Sequence, residues 1–170
     1  VITGDDIMPK LNDFFKNNIS LNNMDTNQSI EKIKNSICSA NVYIDSFSIA
    51  EALSLGADIV LCGRVSDPGL SLGPMIYEFG WKKDNYNKLA SGTLAGHIIE
   101  CGAQCTGGNH TNWKDVINMA EIGYPIIEMS DTGNFKITKD PKSGGIINKY
   151  TVSEQILYEM GNPNYYISPD

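Results

Sequence analysis

No stretch of this 170-residue chain approaches the roughly 20 consecutive apolar residues that a membrane-crossing helix needs, and no signal-peptide pattern is present. Positive charge is scarce. Thirteen Lys and Arg face 20 Asp and Glu, for a net charge of −7. That balance argues against nonspecific binding to nucleic acid or to an anionic membrane, both of which require a concentrated positive surface. The sequence lacks a P-loop and a Gly-x-Gly-x-x-Gly fingerprint, so neither nucleotide-binding loop of known mechanics is on offer. It also lacks the short Cys-x-x-Cys knuckle of structural zinc sites. Its four cysteines (Cys38, Cys62, Cys101, Cys105) fall inside periodic apolar segments, which suits reduced thiols in an intracellular compartment, cytoplasmic or mitochondrial. No internal repeat and no linker interrupts the chain, so residues 1–170 read as one α/β domain. At 41% hydrophobic and 19% charged residues, it has enough material for one substantial core.

What is present alternates between strand-like and helical patterns. Val1-Ile2 reads as the end of a buried strand, followed at once by the loop Thr3-Gly-Asp-Asp6; with no initiator methionine ahead of it, the chain reads as an internal piece of a longer domain. Ile7, Leu11, Phe14 and Phe15 fall at helical spacing. Lys16–Gln28, rich in Asn and Ser, reads as a loop, Ile30 and Ile33 as a short helix, and Ile37–Ile44 as a buried strand. Ser48–Leu55 is an amphipathic helix ending at Gly56, a C-cap position. Asp58–Cys62 is apolar without alternation, as in a parallel strand covered on both faces, and Pro68 opens the next helix. Asn85–Cys105 is mostly helical. Tyr124–Ser130 and Phe135–Lys139 are two strands of a hairpin across Asp131–Asn134. Thr151 caps a final helix with Glu154 three residues on. The expected architecture is a largely parallel, βα-repeating, Rossmann-like sheet carrying a helical glycine-rich segment and a small hairpin; a partial (β/α)-barrel is the alternative.

In such a sheet the loops after the strands line the ligand crevice. This places Asp6, Arg64 and Asp67 around one pocket with part of Gly92–Asn109. Arg64 can fork onto a carboxylate or phosphate, or else clamp Asp67 or Asp6. Asp5 and Asp6 can supply a base or metal ligands, but an Asp there is also a routine helix cap. Glu100 lies among apolar and small residues, surroundings that disfavour its charged form and suit it to proton transfer; pairing with Arg64 is the competing role. His97 lies one helical turn away and is the nearby base in sequence. Cys101 can act as a nucleophile only if its pKa is lowered. His97, Cys101 and Cys105 repeat every four residues, with His110 downstream, but buried cysteine as a small hydrophobe is the commoner role, and no metal site is assigned. Gly92 and Gly96 allow a close helix approach, while Gly107, Gly108 and Asn109, like Lys142–Gly145, can free backbone N–H groups for an anion.

The ordered blocks VITGDD (1–6), SANVYIDSFSIAEAL (39–53), GADIVLCGRVSDPGLSLGP (56–74), YEFGW (77–81), GTLAGHIIECGAQCTGG (92–108), GYPIIEMS (123–130), ITKDPKSGG (137–145) and TVSEQILYEMGNPNYYISPD (151–170) resemble the AtuA family, named for acyclic terpene utilisation. The resemblance runs nearly end to end. In that family pattern the position matching Cys105 is often a small apolar residue, which weighs further against a ligand role. The resemblance implies an enzyme of acyl-CoA or branched-chain (terpenoid-type) acid catabolism, of hydratase or lyase kind. Glu100, His97 and Asp67 would then be its proton-transfer groups. Arg64, Asp6, Gly107, Gly108 and Asn109 would receive the anion, and a coenzyme A ester is a possible substrate. The other reading is a noncatalytic binding or assembly domain beside an acyl-CoA carboxylase-type subunit. The aromatic stretches Tyr77–Trp81 and Tyr165-Tyr166 add contact area consistent with a homo-oligomer.

Overall fold

The computed structural model describes all 170 residues as a mixture of helices and one two-stranded antiparallel sheet. Five α-helices occur in chain order: α1 (Leu11–Lys16), α2 (Ser46–Ser54), α3 (Gly69–Phe79), α4 (Tyr86–Glu100) and α5 (Lys149–Met160). Strands β1 (Pro125–Met129) and β2 (Phe135–Lys139) form the expected hairpin, in register from Pro125 opposite Lys139 to Met129 opposite Phe135. No helix is long and apolar enough to cross a membrane.

The expected parallel sheet does not form, and neither does a barrel. What exists is its sparse trace. Segment 61–65 passes between Ile2 and Ile44 with single parallel bridges to each: Ile2 N–H donates to Leu61 O at 2.7 Å, Gly63 N–H to Ile2 O at 3.1 Å, and Ile44 N–H to Arg64 O at 2.9 Å. A parallel strand of a doubly covered sheet is buried on both faces. Here Ile59 is 88% and Leu61 66% exposed, and no helix layer lies over them. Residues 37–44 likewise make only isolated bridges, at Asn41 and Ile44, and leave Val42 and Tyr43 exposed instead of forming a buried strand.

Packing is concentrated in α2, α3 and α4. Ala50, Leu72, Ile76, Trp81 and Leu89 form the core, with Phe47, Met75, Phe79 and Met129 against it. Trp81 donates its indole N–H to Asp131 O at 2.9 Å, tying this core to the hairpin turn. The residue expected at a subunit contact is therefore consumed internally, at 2% exposure. Asp45 caps α2 by accepting from Ser48 N–H at 3.0 Å and Ser48 Oγ–H at 2.8 Å. Gly80, at φ 60°, ends α3 in the left-handed conformation that a Cβ penalises.

The small residues of α4 decide how closely α3 approaches. A Cβ on Gly96 would stand 2.5 Å from Pro68 Cβ, 2.8 Å from its Cα and 2.9 Å from its carbonyl oxygen. The close approach expected of Gly92 and Gly96 is therefore made, and at Gly96 the partner is backbone. It brings the Ser66–Pro68 loop onto the last turns of α4.

Helix α5 starts three residues earlier than the Thr151 cap implies. Asn148 is the N-cap, its side chain accepting from Tyr150 and Thr151 N–H, while the Thr151 hydroxyl oxygen accepts from Asn148 N–H. Glu154 is thereby released from capping. Its carboxylate instead meets His110 Nδ1 at 2.7 Å and accepts from Thr111 N–H at 3.1 Å. Those bonds, led by the one to His110, hold the Glu154 carboxyl below the usual carboxylate value of 4.5. A folded-state value below the unfolded one contributes stability above the unfolded pKa and loses it as pH falls through the folded one. Between about pH 5 and about pH 3, the urea midpoint should therefore fall more steeply in the wild type than in Glu154→Gln. Equal slopes for the two proteins would contradict this role of Glu154.

Candidate functional site

The last turn of α4 carries His97, with its side chain 3% exposed, and Glu100. Three residues apart on a helix, they share a face, and His97 Nδ1 lies 2.6 Å from Glu100 Oε1. The other ring nitrogen, Nε2, lies 2.8 Å from Tyr166 Oη, with the two rings edge-to-face at 5.6 Å. His97 is thus bracketed by a carboxylate and a phenol. In either tautomer of the uncharged ring one of these bonds is donated and the other accepted, so the three groups form a continuous hydrogen-bonded chain.

Helix α5 supplies the floor. Gln155 is fully buried and donates through Nε2 to His97 O and to Glu159 Oε1, each at 3.1 Å. Glu159, one turn further along α5, also accepts from Cys101 Sγ–H at 3.2 Å. The segment after α5 then turns back across the site. Tyr166 reaches His97, and Asp170 anchors the far end by accepting from Ser46 N–H at 2.6 Å, Ser46 Oγ–H at 2.7 Å and Ser66 Oγ–H at 3.0 Å. Between strap and helices lies a cavity of ≈ 340 Å³, lined among others by Tyr43, Asp67, His97, Glu159 and Tyr166. A second cavity, of ≈ 440 Å³, shares Ser66 and Asp67 with the first and is bordered by Arg64 and Glu100.

Of the residues singled out in the sequence, Arg64, Asp67, His97 and Glu100 come together here. Asp6, Gly107, Gly108 and Asn109 line neither cavity. Asp6 does the capping job, accepting from Met8 N–H at 3.0 Å. Gly107, at φ 124°, packs on Val116, and Gly108 and Asn109 donate to the carbonyls of Ala103 and Gln104, so their N–H groups are spent within the turn. Arg64, the chain's one arginine, clamps Asp67 at 2.7 Å and not Asp6, and it stacks on Tyr43 at 4.8 Å. Only its Nη2 is used, for Asp67 and Tyr43, and its other guanidinium N–H groups make no hydrogen bond within the chain. Asp5, not Asp6, holds the Arg64 backbone, accepting its N–H at 2.8 Å.

Charge in the site follows from burial. Burial pushes the Glu100 carboxyl up, opposed by the bond from His97 and reinforced by the negative charge of Glu159. Arg64 does not pair with Glu100, so the competing role weighed for this carboxylate is taken by His97. Burial, then the nearby Asp170, raises the Tyr166 phenol to about 12. Burial and the hydrogen bond to Glu159 raise the Cys101 thiol to about 11. That is the wrong direction for a nucleophile, because the thiolate is the reactive form. At pH 8 only about one Cys101 in a thousand would be ionised, and its alkylation by iodoacetamide should run about a hundredfold slower than that of free cysteine. Alkylation at the free-cysteine rate would refute this picture of the site. Cys105 is fully buried with a thiol likewise raised to about 11, and His110 is paired with Glu154, so the His97/Cys101/Cys105/His110 set does not converge.

Sequence reasoning missed Tyr166 as a site residue, along with Gln155, Glu159 and the Ser46–Ser66–Asp170 anchor. The spacing of Gln155 and Glu159 by four was the readable signal, since it puts two polar side chains on one face of α5.

His97 thus lies buried between a carboxylate and a phenol at the wall of the first cavity, while Arg64 borders the second. The chain matches the family model described as acyclic terpene utilisation family protein AtuA over residues 1–170 and belongs to that family. Neither the curated proteins nor the solved structures give a match.

Proposed function

We propose that this cavity is the reaction centre of an enzyme acting on branched-chain, terpenoid-type acids or their coenzyme A esters, adding or removing water or cleaving a carbon–carbon bond next to the carbonyl. The carrying observation is the Tyr166–His97–Glu100 path, with contacts of 2.8 and 2.6 Å, at the wall of the cavity. In this reading His97 exchanges a proton with the substrate through the Tyr166 hydroxyl at the cavity wall while Glu100 fixes the ring and balances its charge, and Asp67 holds Arg64 at the rim. Arg64 receives the carboxylate, or the anionic end of the ester, through its unused N–H groups. Family membership in terpene utilisation supports the substrate class. Tyr43, Tyr158, Met160, Tyr165 and Ile167 supply apolar wall for a branched chain, beside the polar Ser66, Asp67, His97, Glu159 and Asn162. A volume of ≈ 340 Å³ lies at the low end of small-molecule sites, which run from about 300 Å³ upward. The acyl portion fits inside, and a nucleotide would remain outside.

Thermal denaturation with a methyl-branched C10 enoic acid, its coenzyme A ester and coenzyme A alone tests the assignment. The acid or the ester should raise the midpoint, by the equivalent of about 2.7 kcal/mol at a hundred times its dissociation constant, and Arg64→Met should remove most of that shift. No shift with either compound at millimolar concentration would overturn the substrate class.

A noncatalytic assembly role is the second reading, favoured by the apolar surface left open at Leu61, Leu70 and Tyr77. The same surface supports a homo-oligomer, and a solution mass above one chain is the expected result. An intracellular site of action accords with the four free thiols.

A further inference from the structure

The carboxylates of Glu100 and Glu159 end two different helices, Glu100 as the last residue of α4 and Glu159 as the next to last of α5. Each stands at the negative end of its helix dipole, where a cation is favoured and an anion is not. Neither has a Lys or Arg partner among the ion pairs of the structure. One donor atom from each, together with a ring nitrogen of the buried His97, falls in a group whose members all lie within 4.8 Å of one another. Around them stands a second layer of hydrogen bonds of the type that orients metal ligands. Gln155 Nε2–H and Cys101 Sγ–H both donate to Glu159, and Tyr166 Oη holds Nε2 of His97. With the ring proton on Nε2 and donated to Tyr166 Oη, the Nδ1 lone pair faces the carboxylates. The other amide atom of Gln155, Oε1, is fully buried without a partner, in the same amide that contacts Glu159.

The geometry points to His97, Glu100 and Glu159 as the ligands of a divalent first-row transition-metal ion, for which an imidazole and two carboxylates are a mixed nitrogen–oxygen donor set. Two ligands each about 2 Å from one ion stand about 3 Å apart. The present 2.6 Å between His97 Nδ1 and Glu100 Oε1 therefore opens by a small rotation of the Glu100 side chain, and the ion takes the place of the hydrogen in that bond. His97 and Glu159 both line the cavity, so a carbonyl or water oxygen of a bound substrate could complete the coordination. This inference rests on the proposed function only for the location of the centre.

Calorimetric titration of Zn²⁺ into the full chain, without substrate and in a non-chelating buffer, tests it. One ion per chain is expected, with affinity lowered more than about tenfold in Glu159→Gln and in Glu100→Gln, and within about twofold of wild type in Cys38→Ser, an exposed thiol outside the ligand group. Should either glutamine variant fail to fold, the visible spectrum of the Co²⁺-loaded wild type decides. Bands shifted from those of the hydrated ion support the site, and the hydrated-ion spectrum overturns it. Less than a fifth of an ion per chain, or unchanged affinity in both variants, also overturns it. Because the readout is binding, such a failure leaves the proton-transfer reading standing, and inactivity toward the acids leaves the metal site standing.

Discussion

Replacing Glu100 by Gln should lower turnover of the branched enoyl substrate by about 10²- to 10⁴-fold while leaving the unfolding midpoint nearly unchanged. The amide keeps the shape of the carboxyl group and can still hydrogen-bond to His97 Nδ1. What it cannot do is accept a proton or balance a positive charge on the ring, so orientation survives and proton transfer does not. The burial that disfavours ionised Glu100 works in the same direction, since a hydrogen-bonded neutral amide costs less to bury than a carboxylate. Steady-state kinetics and a melting curve on the same preparation check both halves. Full activity in the variant would refute the proton-transfer role of Glu100. A collapsed midpoint would assign Glu100 to the fold.

The largest structural effect is expected from Gly96→Ala. Alanine is a better helix former than glycine by up to about 1 kcal/mol, so a solvent-facing glycine of α4 would gain stability from the exchange. At Gly96 the added methyl meets the Pro68 ring and backbone between 2.5 and 2.9 Å, and neither can rotate away. Overpacking of this kind typically costs about 1–3 kcal/mol and outweighs the propensity gain. For a chain of this length the net loss corresponds to a midpoint lowered by about 3–8 °C. Pro68 follows Asp67 directly, so the same displacement should also disturb the cavity wall and lower activity in the folded fraction. An unchanged or raised midpoint would contradict the packing described.

How much of this was legible in the sequence depends on the range of the forces involved. The helices around Ser48–Leu55 and Asn85–Cys105 and the hairpin at Asp131–Asn134 rest on local periodicity and turn chemistry, and they appear within a few residues of expectation. The close approach at Gly96 was legible because few other roles call for a glycine in mid-helix. Asp58–Cys62 was misleading. An apolar run predicts burial on both faces, but burial depends on what packs over the segment, and here Ile59 and Leu61 remain exposed. In the site, His97 and Glu100 were recoverable because they sit one turn apart on one helix. Tyr166, 69 residues from His97 in sequence, and Asp170, 124 residues from Ser46, were not, since only tertiary contact brings them together. Glu154 illustrates the opposite error. A local capping rule claimed it, and a long-range bond to His110 holds it instead.

The most direct measurement is solvent-deuterium exchange. The methyl-branched C10 enoic acid and its coenzyme A ester are incubated with the protein in D₂O, and deuterium at the carbons next to and conjugated with the carbonyl is read by mass spectrometry. A working proton path at His97 predicts wash-in that depends on the wild-type protein, is lost in Glu100→Gln, and is reduced in Tyr166→Phe, whether or not net product accumulates. No wash-in above the protein-free control for either compound, or equal wash-in by wild type and Glu100→Gln, would contradict the assignment of this cavity as the reaction centre.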